Sequence, residues 1–403
     1  MGEKIAMGFH ATVDYELEWD AEKFINLVSD HQIKANELNA DIQPDSERNM
    51  LRIALVHMKE GSGAEFTPET NELCVNFAKH FVYRQTLGGT ALRAALAIGR
   101  LGYGTELSIC CFNRLVRQGI PFNVHYFSNI GQGREEIYPH VVLTYPSGAR
   151  IKANDIDFVT PRENRILFSN DEEAKAMAVS QEFLPRMRDA KVFLLGCFSE
   201  VLDFHVLKQR MAETRELLNK RNPDTLLVME DGCYIQKSFR NYVHKELMKC
   251  KPDILSMNED ELQEYVGKRF DILDADLVLD ALEQCQTRIG VPLLVVHSSK
   301  WALAYGTDAG KVKQALETGI CVSSMHFCYG NACDREELRR VSAMDVKREG
   351  EAFCKKIKEL AGTRVCAVLT KDLSGVRNPT VVGLGDCFAA GLVLGLTELV
   401  LDL

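Results

Sequence analysis

The C-terminal half of the chain alternates short aliphatic runs with longer amphipathic stretches. The short runs are residues 192–195, 226–229, 254–257 and 293–297, and most of the stretches between them have the apolar spacing of helices. Apolar runs of this length are typical of strands that are buried on both faces. The alternation therefore predicts an α/β fold with a central, mostly parallel sheet flanked by helices. Right-handed crossovers would bring the carboxyl ends of the strands, and a ligand site, to one edge.

The N-terminal half breaks this alternation. The pattern predicts a strand at residues 5–13, helices at residues 50–58, 70–81 and 91–101, and a strand at residues 106–111. Two further apolar runs flank Pro146-Ser147-Gly148, at residues 140–145 and 149–152, and this arrangement predicts a β-hairpin.

The hairpin and the polar segment 15–48 indicate a second, smaller α+β domain that covers the first as a lid. We expect the large α/β domain to comprise residues 1–14, 70–119 and 166–403. The discontinuous lid would comprise residues 15–69 and 120–165.

Composition narrows the class of protein. The 403 residues are 46% hydrophobic and 26% charged, which is ordinary for a globular protein, and the formal net charge is -9 without a block of Lys and Arg. The 13 cysteines show no zinc-binding spacing, and no apolar run reaches the roughly 18 residues that span a bilayer. We therefore expect a cytoplasmic protein that binds neither nucleic acid nor membrane. Its oligomeric state cannot be inferred.

The most informative motif is Gly383-Leu384-Gly385-Asp386, which precedes a helix-forming stretch of small residues. A helix that begins here would direct unpaired N–H groups and its positive dipole end at one point, where a transferred phosphoryl group needs stabilisation. Asp386 in the first turn could accept a proton from an attacking hydroxyl. A tight turn with a capping aspartate fits the same residues, and the motif alone does not decide between the two.

Two other predicted strand ends carry polar side chains. Asn258 and Glu261 follow the run at 254–257 and would share a face of a helix start. Mg²⁺ takes few protein oxygens and keeps several waters, so this pair could hold it, although a solvated acidic helix start gives the same pattern. Asp14 follows the first predicted strand, and a carboxylate there could accept hydrogen bonds from two sugar hydroxyls; a helix cap or turn is the alternative.

Taken in order, these motifs resemble the ADP-dependent phosphofructokinase/glucokinase family of the ribokinase-like superfamily. The Gly-x-Gly-Asp segment, followed by Ala389-Ala390-Gly391, resembles the superfamily's anion hole and catalytic base, and Asn258 to Glu261 resembles its Asn-x-x-Glu metal motif. Further similar segments are Gly88-Gly89-Thr90, Gly61 to Glu65, and Pro161-Arg162-Glu163-Asn164-Arg165. Neither a Walker A motif nor a dinucleotide fingerprint is present in the sequence, which argues against a P-loop kinase or a dinucleotide enzyme.

Two segments depart from the family pattern. His10 and Thr12 replace asparagines of its first-strand motif, and Val228 replaces a histidine two residues before Glu230. The departures leave the role of Glu230 open and argue mildly for a catalytically degenerate sugar-binding protein, whereas the intact Gly383-Leu384-Gly385-Asp386 argues against it.

The resemblance implies a role for each matched position. Asp386 would be the catalytic base, with Gly383 and Gly385 in the anion hole. The acceptor sugar would lie against Thr12, Asp14, Glu65, Gly88, Gly89, Thr90, His140, Arg162 and Arg165. The nucleotide, ADP as phosphoryl donor, would lie at His297, Gly383 and Leu384. Mg²⁺ or another divalent cation would be held by Glu230, Asn258 and Glu261.

The acceptor implied by the resemblance is fructose 6-phosphate. Glucokinase-type members have a glutamate where this chain has Ala64, and Arg150, Lys152, Arg162 and Arg165 offer partners for a sugar phosphate. An ADP-dependent glucokinase, or an enzyme with both activities, is the alternative. An ATP-using ribokinase relative also remains, because the physical argument does not distinguish ADP from ATP.

Overall fold

The computed structural model describes residues 5–128, 135–234, 236–331, 333–377 and 379–397. Its strands are β1 (Ile5–Phe9), β2 (Thr12–Leu17), β3 (Ala64–Phe66), β4 (Tyr83–Gly88), β5 (Thr105–Ile109), β6 (Val124–Ser128), β7 (Pro139–Tyr145), β8 (Arg150–Ala153), β9 (Ile156–Val159), β10 (Asn164–Phe168), β11 (Val192–Leu195), β12 (Leu226–Glu230), β13 (Ile254–Asn258), β14 (Leu293–His297), β15 (Trp301–Gly306) and β16 (Val365–Leu369). Its helices are α1 (Ala21–Asp30), α2 (Glu47–Glu60), α3 (Asn71–Ala78), α4 (Thr90–Arg100), α5 (Arg114–Gly119), α6 (Glu172–Ala176), α7 (Leu184–Asp189), α8 (Phe204–Asn219), α9 (Lys237–Leu247), α10 (Glu259–Val266), α11 (Ala275–Ile289), α12 (Lys313–Tyr329), α13 (Arg335–Ser342), α14 (Glu351–Ala361) and α15 (Leu384–Leu396). The predicted helices of the N-terminal half are confirmed as α2, α3 and α4.

The larger sheet has, within the described residues, nine strands in the order β16-β15-β14-β13-β12-β11-β1-β5-β6. β15 pairs antiparallel with both β14 and β16, and the remaining neighbours are parallel. Every residue of β1 and of β11 is buried, as expected for strands with helices on both faces. The predicted mostly parallel sheet is confirmed, and β11 to β14 are the four aliphatic runs of the C-terminal half.

The smaller sheet has, in the same part of the chain, five strands in the order β3-β10-β7-β2-β4. Helices α2 and α3 pack against β10 and β7, and α1 packs against the two-stranded ribbon of β8 and β9. The five-stranded sheet supplies the second wall of a cleft whose first wall is the carboxyl edge of the larger sheet.

Two helix N-termini meet at that edge. Helix α15 packs against both α12 and α4, and Arg93 near the start of α4 lies against Gly383, the residue that precedes α15. Nowhere along the described ranges is a helix both long enough and apolar enough to pass through a bilayer.

The predicted first strand, residues 5–13, is in fact two strands in two different sheets. β1 ends at Phe9 in the larger sheet, and β2 begins at Thr12 and pairs with β4 and β7 in the smaller one. His10 and Ala11 alone carry the chain across, so Asp14 lies within a strand rather than beyond the end of one. The apolar pattern was uninterrupted because both strands are buried, and it therefore predicted a single element.

The predicted hairpin around residues 146–148 is wrong. β7 lies between β10 and β2, whereas β8 pairs with β9 in a separate ribbon. The turn at Gly148, with φ of 77°, is present, but the chain that leaves it does not return along β7. Two more distant strands bury β7 on both edges, and the local turn signal carries no information about them.

Sheet membership also departs from the predicted domain boundaries. β4 falls in the segment assigned to the large domain but pairs with β2 in the smaller sheet, and β6 falls in the lid segment but pairs with β5 in the larger sheet. Both memberships come from pairing between strands distant in sequence, which local composition does not encode. The division into a large domain and a lid stays a prediction.

Candidate active site

A cleft of about 1190 Å³ lies between the two sheets and collects nearly all of the predicted site residues. The predicted residues that line it are Thr12, Asp14, Glu65, Gly89, Thr90, His140, Arg162, Arg165, Glu230, Asn258, Glu261, His297, Gly383, Leu384, Gly385 and Asp386. Gly88 is not among the lining residues. It lies behind the side chain of Asp14, where an added Cβ would come within 2.2 Å of Asp14 Oδ2.

The N-terminus of α15 forms one end of the cleft. Gly383 is its N-cap, with φ of 79°, and no side chain caps the helix. Asp386 lies in the first turn with its carboxylate partly open to the cleft. Because the cap is a glycine, the alternative of a capping aspartate does not hold, and the N–H groups of the first turn are left without side-chain partners.

Glu230, Asn258 and Glu261 lie together at the ends of β12 and β13. Asn258 and Glu261 form a capping box at the start of α10, with Asn258 N–H donating to Glu261 Oε2 over 2.8 Å and Glu261 N–H donating to Asn258 Oδ1 over 2.9 Å. The predicted helix start is therefore real, and it uses one oxygen from each side chain. Burial, and then the negative charges of Asp231 and Glu230, raise the pKa of Glu261 well above its usual value.

These residues fit a hydrated divalent cation better than a directly ligated one. Glu230 Oε2 is buried and accepts no hydrogen bond of normal geometry from the described residues, so it is an oxygen without a partner. Within the described ranges, no three His, Cys, Asp or Glu side chains converge closely enough to ligate an ion by themselves. Mg²⁺ bound through its waters needs only one or two such oxygens.

An ionic network adjoins the metal-side residues, and two of its members, Asp231 and Glu264, also line the cleft. Arg240 donates to both oxygens of Asp231 and, through Nη1, to Glu264 Oε2 over 3.2 Å, and its guanidinium stacks 4.0 Å from the Tyr265 ring centroid. His244 Nε2 lies 3.3 Å from Asp231 Oδ1. Burial acts in the opposite direction, but the charges of His244 and Arg240 lower the pKa of Asp231 to about 2.

His297 connects the metal side to the anion hole. Its Nε2 lies 3.3 Å from Glu230 Oε1, and its ring centroid lies 4.5 Å from that of Phe388 on α15. A Cβ added at Gly385 would contact the His297 ring at 3.4 Å. The structure thus places His297 between the metal candidate Glu230 and the first turn of α15.

Asp14 stands on the opposite wall, in β2. Thr12 Oγ1 donates to its Oδ1 over 2.7 Å, and Arg93 Nη2 donates to its Oδ2 over 2.7 Å. Gly89, with φ of 80°, turns the chain tightly against Ala11 and opens α4 without a side-chain cap. Asp14 and the start of α4 therefore present a carboxylate and backbone N–H groups to the same space.

Arg93 is a central residue of the cleft that the sequence analysis did not identify. Its Nε lies 3.2 Å from Asp386 Oδ2, so one guanidinium bridges Asp14 and Asp386. Burial acts in the opposite direction, but the charges of Asp14 and Asp386 raise the pKa of Arg93 above its usual value, and it stays charged. Arg93 is 3% exposed and interrupts a run of buried apolar residues on α4. A charged residue inside such a run is the sequence signal that could have identified it.

A cluster of titratable groups lines the lid side. Burial, and then the charge of Glu200, raise the pKa of Glu65 to about 7. Burial alone would lower the pKa of His140, but its hydrogen bond with Asp171 and the Glu200 charge raise it to about 9. His10 Nε2 is buried without a hydrogen bond among the described residues. Glu200 was not predicted, although it follows β11 closely, as expected of a strand-end site residue.

The four predicted basic residues separate into two pairs. Arg162 and Arg165 line the cleft, and Arg162 Nε also donates to Gly61 O over 2.5 Å. Arg150 is exposed and bonded to Asp157 over 2.8 Å, and neither it nor Lys152 is among the residues that line the cleft. Phosphate contact by Arg150 or Lys152 is thus not supported.

Comparisons with known proteins agree with this geometry. A family model described as ADP-specific Phosphofructokinase/Glucokinase conserved region matches residues 3–391. A curated ADP-dependent glucose/glucosamine kinase of Pyrococcus furiosus is 23% identical over 290 residues, which cover 65% of this chain and 62% of that relative. The chain thus matches a little under two thirds of the length of that protein.

Solved structures with the same fold cover more of the chain. A phosphofructokinase from Pyrococcus horikoshii with AMP superposes with a TM-score of 0.74 at 16% identity, over 98% of each chain. An ADP-dependent kinase in complex with fructose-6-phosphate and ADPβS superposes with a TM-score of 0.75 at 13% identity, over 98% of this chain and 94% of that one. At these identities the likeness establishes the fold, and the predicted ribokinase-like α/β class is confirmed.

Proposed function

The chain belongs to the ADP-specific phosphofructokinase/glucokinase family, and from that premise we propose that it is an ADP-dependent kinase that phosphorylates a sugar hydroxyl. The family resemblance found in the sequence is thereby confirmed. The assignment of residues to roles is part of the proposal.

One observation carries the proposal. Asp386 lies in the first turn of α15, beside an uncapped helix N-terminus, and it faces Asp14 of the other sheet through Arg93. A phosphoryl transfer needs an acceptor held in line, a base for its proton and fixed donors for the transferred charge. The two walls of the cleft supply these three elements at one place.

In the proposed mechanism the acceptor lies between Asp14 and Asp386. Asp14 and the backbone at Gly89 hold its hydroxyls, and Asp386 takes the proton from the hydroxyl that attacks. The N–H groups at the start of α15 stabilise the negative charge of the transferring phosphoryl group. Placement between two walls excludes water and so limits hydrolysis of the donor.

Mg²⁺ is proposed as the cofactor on the basis of Glu230 and Glu261. A divalent cation there would neutralise charge on the donor phosphates. Glu230 Oε2 makes no hydrogen bond of normal geometry within the described residues, and Glu261 keeps Oε1 outside its capping bonds. The raised pKa of Glu261 reflects carboxylates crowded together in a buried place, an arrangement that a cation would relieve.

Fructose 6-phosphate is the proposed acceptor. Arg162 and Arg165 line the cleft and suit a phosphate, and Ala64 adds no carboxylate beside Glu65. Glucose, or an amino sugar, is the second candidate, because Glu65 and Glu200 both lie at the lid side and a carboxylate close to a phosphate is unfavourable. The name of the Pyrococcus furiosus relative points to the same second candidate.

The test is a matrix of acceptors and donors. The purified protein is assayed with fructose 6-phosphate, glucose and glucosamine against ADP and ATP, with and without EDTA. We expect transfer with ADP, loss with EDTA, and the highest kcat/KM for fructose 6-phosphate. Preference for glucose would replace the acceptor assignment, use of ATP alone would replace the donor assignment, and the absence of any transfer would contradict the kinase proposal.

A further inference from the structure

The guanidinium of Arg93 connects the two walls of the cleft. It contacts Asp14, which β2 carries in the smaller sheet, and Asp386, which α15 carries beside the larger sheet. Arg93 itself lies in the second turn of α4, the helix that packs against α15. One side chain therefore fixes the spacing between the acceptor-binding carboxylate and the base.

Arg93 is also shaped to the anion hole. A Cβ at Gly383 would lie 2.2 Å from Arg93 Cδ and 2.4 Å from its Nε, so the side chain occupies the space that the glycine leaves free. The backbone at Gly383 and the carboxylate of Asp386 both rest against Arg93. The start of α15 could not take its present position beside a second bulky side chain.

The Nε donor of Arg93 lacks the hydrogen bond that is usual in a buried ion pair. Its Nε is buried and makes no hydrogen bond of normal geometry among the described residues, although Asp386 Oδ2 lies 3.2 Å away. A buried N–H group without a good acceptor costs free energy and is uncommon in native proteins. A small rotation of the Asp386 carboxylate would satisfy this donor, which ties the orientation of the base to Arg93.

We propose that Arg93 is a positioning residue that holds Asp386 at a fixed distance and orientation from Asp14, so that the bound hydroxyl is delivered to the base. The inference rests on the proposed function. Arg93 pairs with Oδ2 of each carboxylate, and Thr12 holds the other oxygen of Asp14, so the second oxygen of Asp386 is left for the acceptor. Arg93 acts through Asp14 and Asp386 and takes no proton itself.

The test compares Arg93→Met, Arg93→Lys and, as a matched control, Arg100→Met in the ADP-dependent assay. Arg100 lies on the same helix but bonds to Asn331 and is not among the residues that line the cleft. We expect Arg93→Met to lower kcat by about ten- to a hundredfold, the scale of a charged hydrogen bond, with KM for ADP changed less than about threefold. Arg93→Lys should recover part of the loss, and Arg100→Met should match the wild type.

A second pair of variants guards against a folding defect, because Arg93→Met leaves Asp14 buried without its cation. Asp14→Asn removes that charge, so we compare Asp14→Asn with Asp14→Asn/Arg93→Met. If Arg93 positions Asp386, the double variant has a lower kcat than Asp14→Asn by about tenfold while both keep the same Tm.

Equal kcat in that pair would overturn the inference, and so would a loss in Arg93→Met that Arg93→Lys does not reduce and that follows Tm. Because these comparisons begin from an active wild type, they fail separately from the proposed function. A wild-type protein that transfers no phosphoryl group would overturn both.

Discussion

Two arginines, Arg93 and Arg240, are buried against carboxylates within the described residues, and their surroundings differ. Arg240 lies in the ionic network of Asp231, His244, Glu264 and Tyr265, where each of its nitrogens donates to an oxygen and an aromatic ring covers its face. Arg93 lines the cleft, where its Nε makes no hydrogen bond of normal geometry within the described residues and its partner Asp386 is partly exposed.

The difference distinguishes a structural role for Arg240 from a role in the candidate active site for Arg93. A buried charge that is fully bonded stabilises the positions of its neighbours, and its removal leaves a costly unpaired partner. A buried charge that is left short of one partner indicates a place where a ligand or a moving group completes the bonding. We therefore expect changes around Arg93 to act on turnover and changes around Arg240 to act on stability.

The largest effect on kcat is expected at Asp386, the partly exposed partner of Arg93. Asp386→Asn should lower kcat by about 10²–10⁴, the usual contribution of a general base, while ADP binding and Tm stay near the wild-type values. Steady-state kinetics and calorimetric titration with ADP measure both quantities. Turnover within a few-fold of the wild type would remove Asp386 from the mechanism.

In the Arg240 network, Arg240→Met should destabilise the protein by about 3–5 kcal/mol, because Asp231 is left buried without its arginine partner. Urea unfolding monitored by circular dichroism measures the free energy of unfolding. Arg269→Met is the matched control, since Arg269 is exposed and pairs with Asp260 at the surface. If the two variants unfold at the same urea concentration, the network around Arg240 does not stabilise the fold as described.

Next comes the acceptor phosphate. Arg165→Ala should lower kcat/KM for fructose 6-phosphate by about ten- to a hundredfold, which is the loss of one charged hydrogen bond, and leave any glucose activity nearly unchanged. Arg150→Ala is the control, because Arg150 bonds to Asp157 at the surface. Parallel losses with both sugars would indicate a folding defect or a different role for Arg165.

The next prediction concerns the candidate metal site at Glu230, Asn258 and Glu261. Glu261→Gln should raise the Mg²⁺ concentration for half-maximal activity by about tenfold, the lower end of the effect seen when groups around a metal are changed. Glutamine can keep the capping box, so Tm should hold. Asp260→Asn, in the same motif but exposed, is the comparison. If the magnesium titrations of all three proteins superimpose, Asn258 and Glu261 cap a helix and do not hold the metal.

The smallest effect should be a pH dependence at the lid. Glu65, with a pKa of about 7, is neutral below that pH and negatively charged above it. KM for fructose 6-phosphate should therefore rise from pH 6 to pH 8 by roughly two- to fivefold more in the wild type than in Glu65→Gln. Comparing the two proteins cancels the titration of the sugar phosphate itself. Identical profiles would show that Glu65 does not face the acceptor phosphate.

The sequence predicted best where the chemistry is local. The runs that became β11 to β14 are largely buried and mostly aliphatic, and the glycines before Asp386 marked the start of α15. Matches to family motifs carried the remaining site residues, and all but Gly88 line the cleft.

What failed depended on distant partners. The turn at residues 146–148 is real, but the neighbours of β7 are β10 and β2, and no local signal specifies them. Arg93 lies on an alanine-rich helix, and its two carboxylate partners come from β2 and α15, which are distant from α4 in sequence. Pairing between distant segments is set by the whole fold, so reading one segment at a time misses it.

At His10 and Ala11 the chain crosses from the larger sheet to the smaller one, and such crossings determine whether the protein can be divided into continuous fragments. The smaller sheet draws its strands from five separate segments, and between them the chain returns to the larger sheet through β5 and β6. No single cleavage releases either sheet as a continuous fragment. A chain nicked once in an exposed loop should therefore keep its pieces together under native conditions and separate only in denaturant, and neither sheet is suited to expression from one uninterrupted stretch of gene.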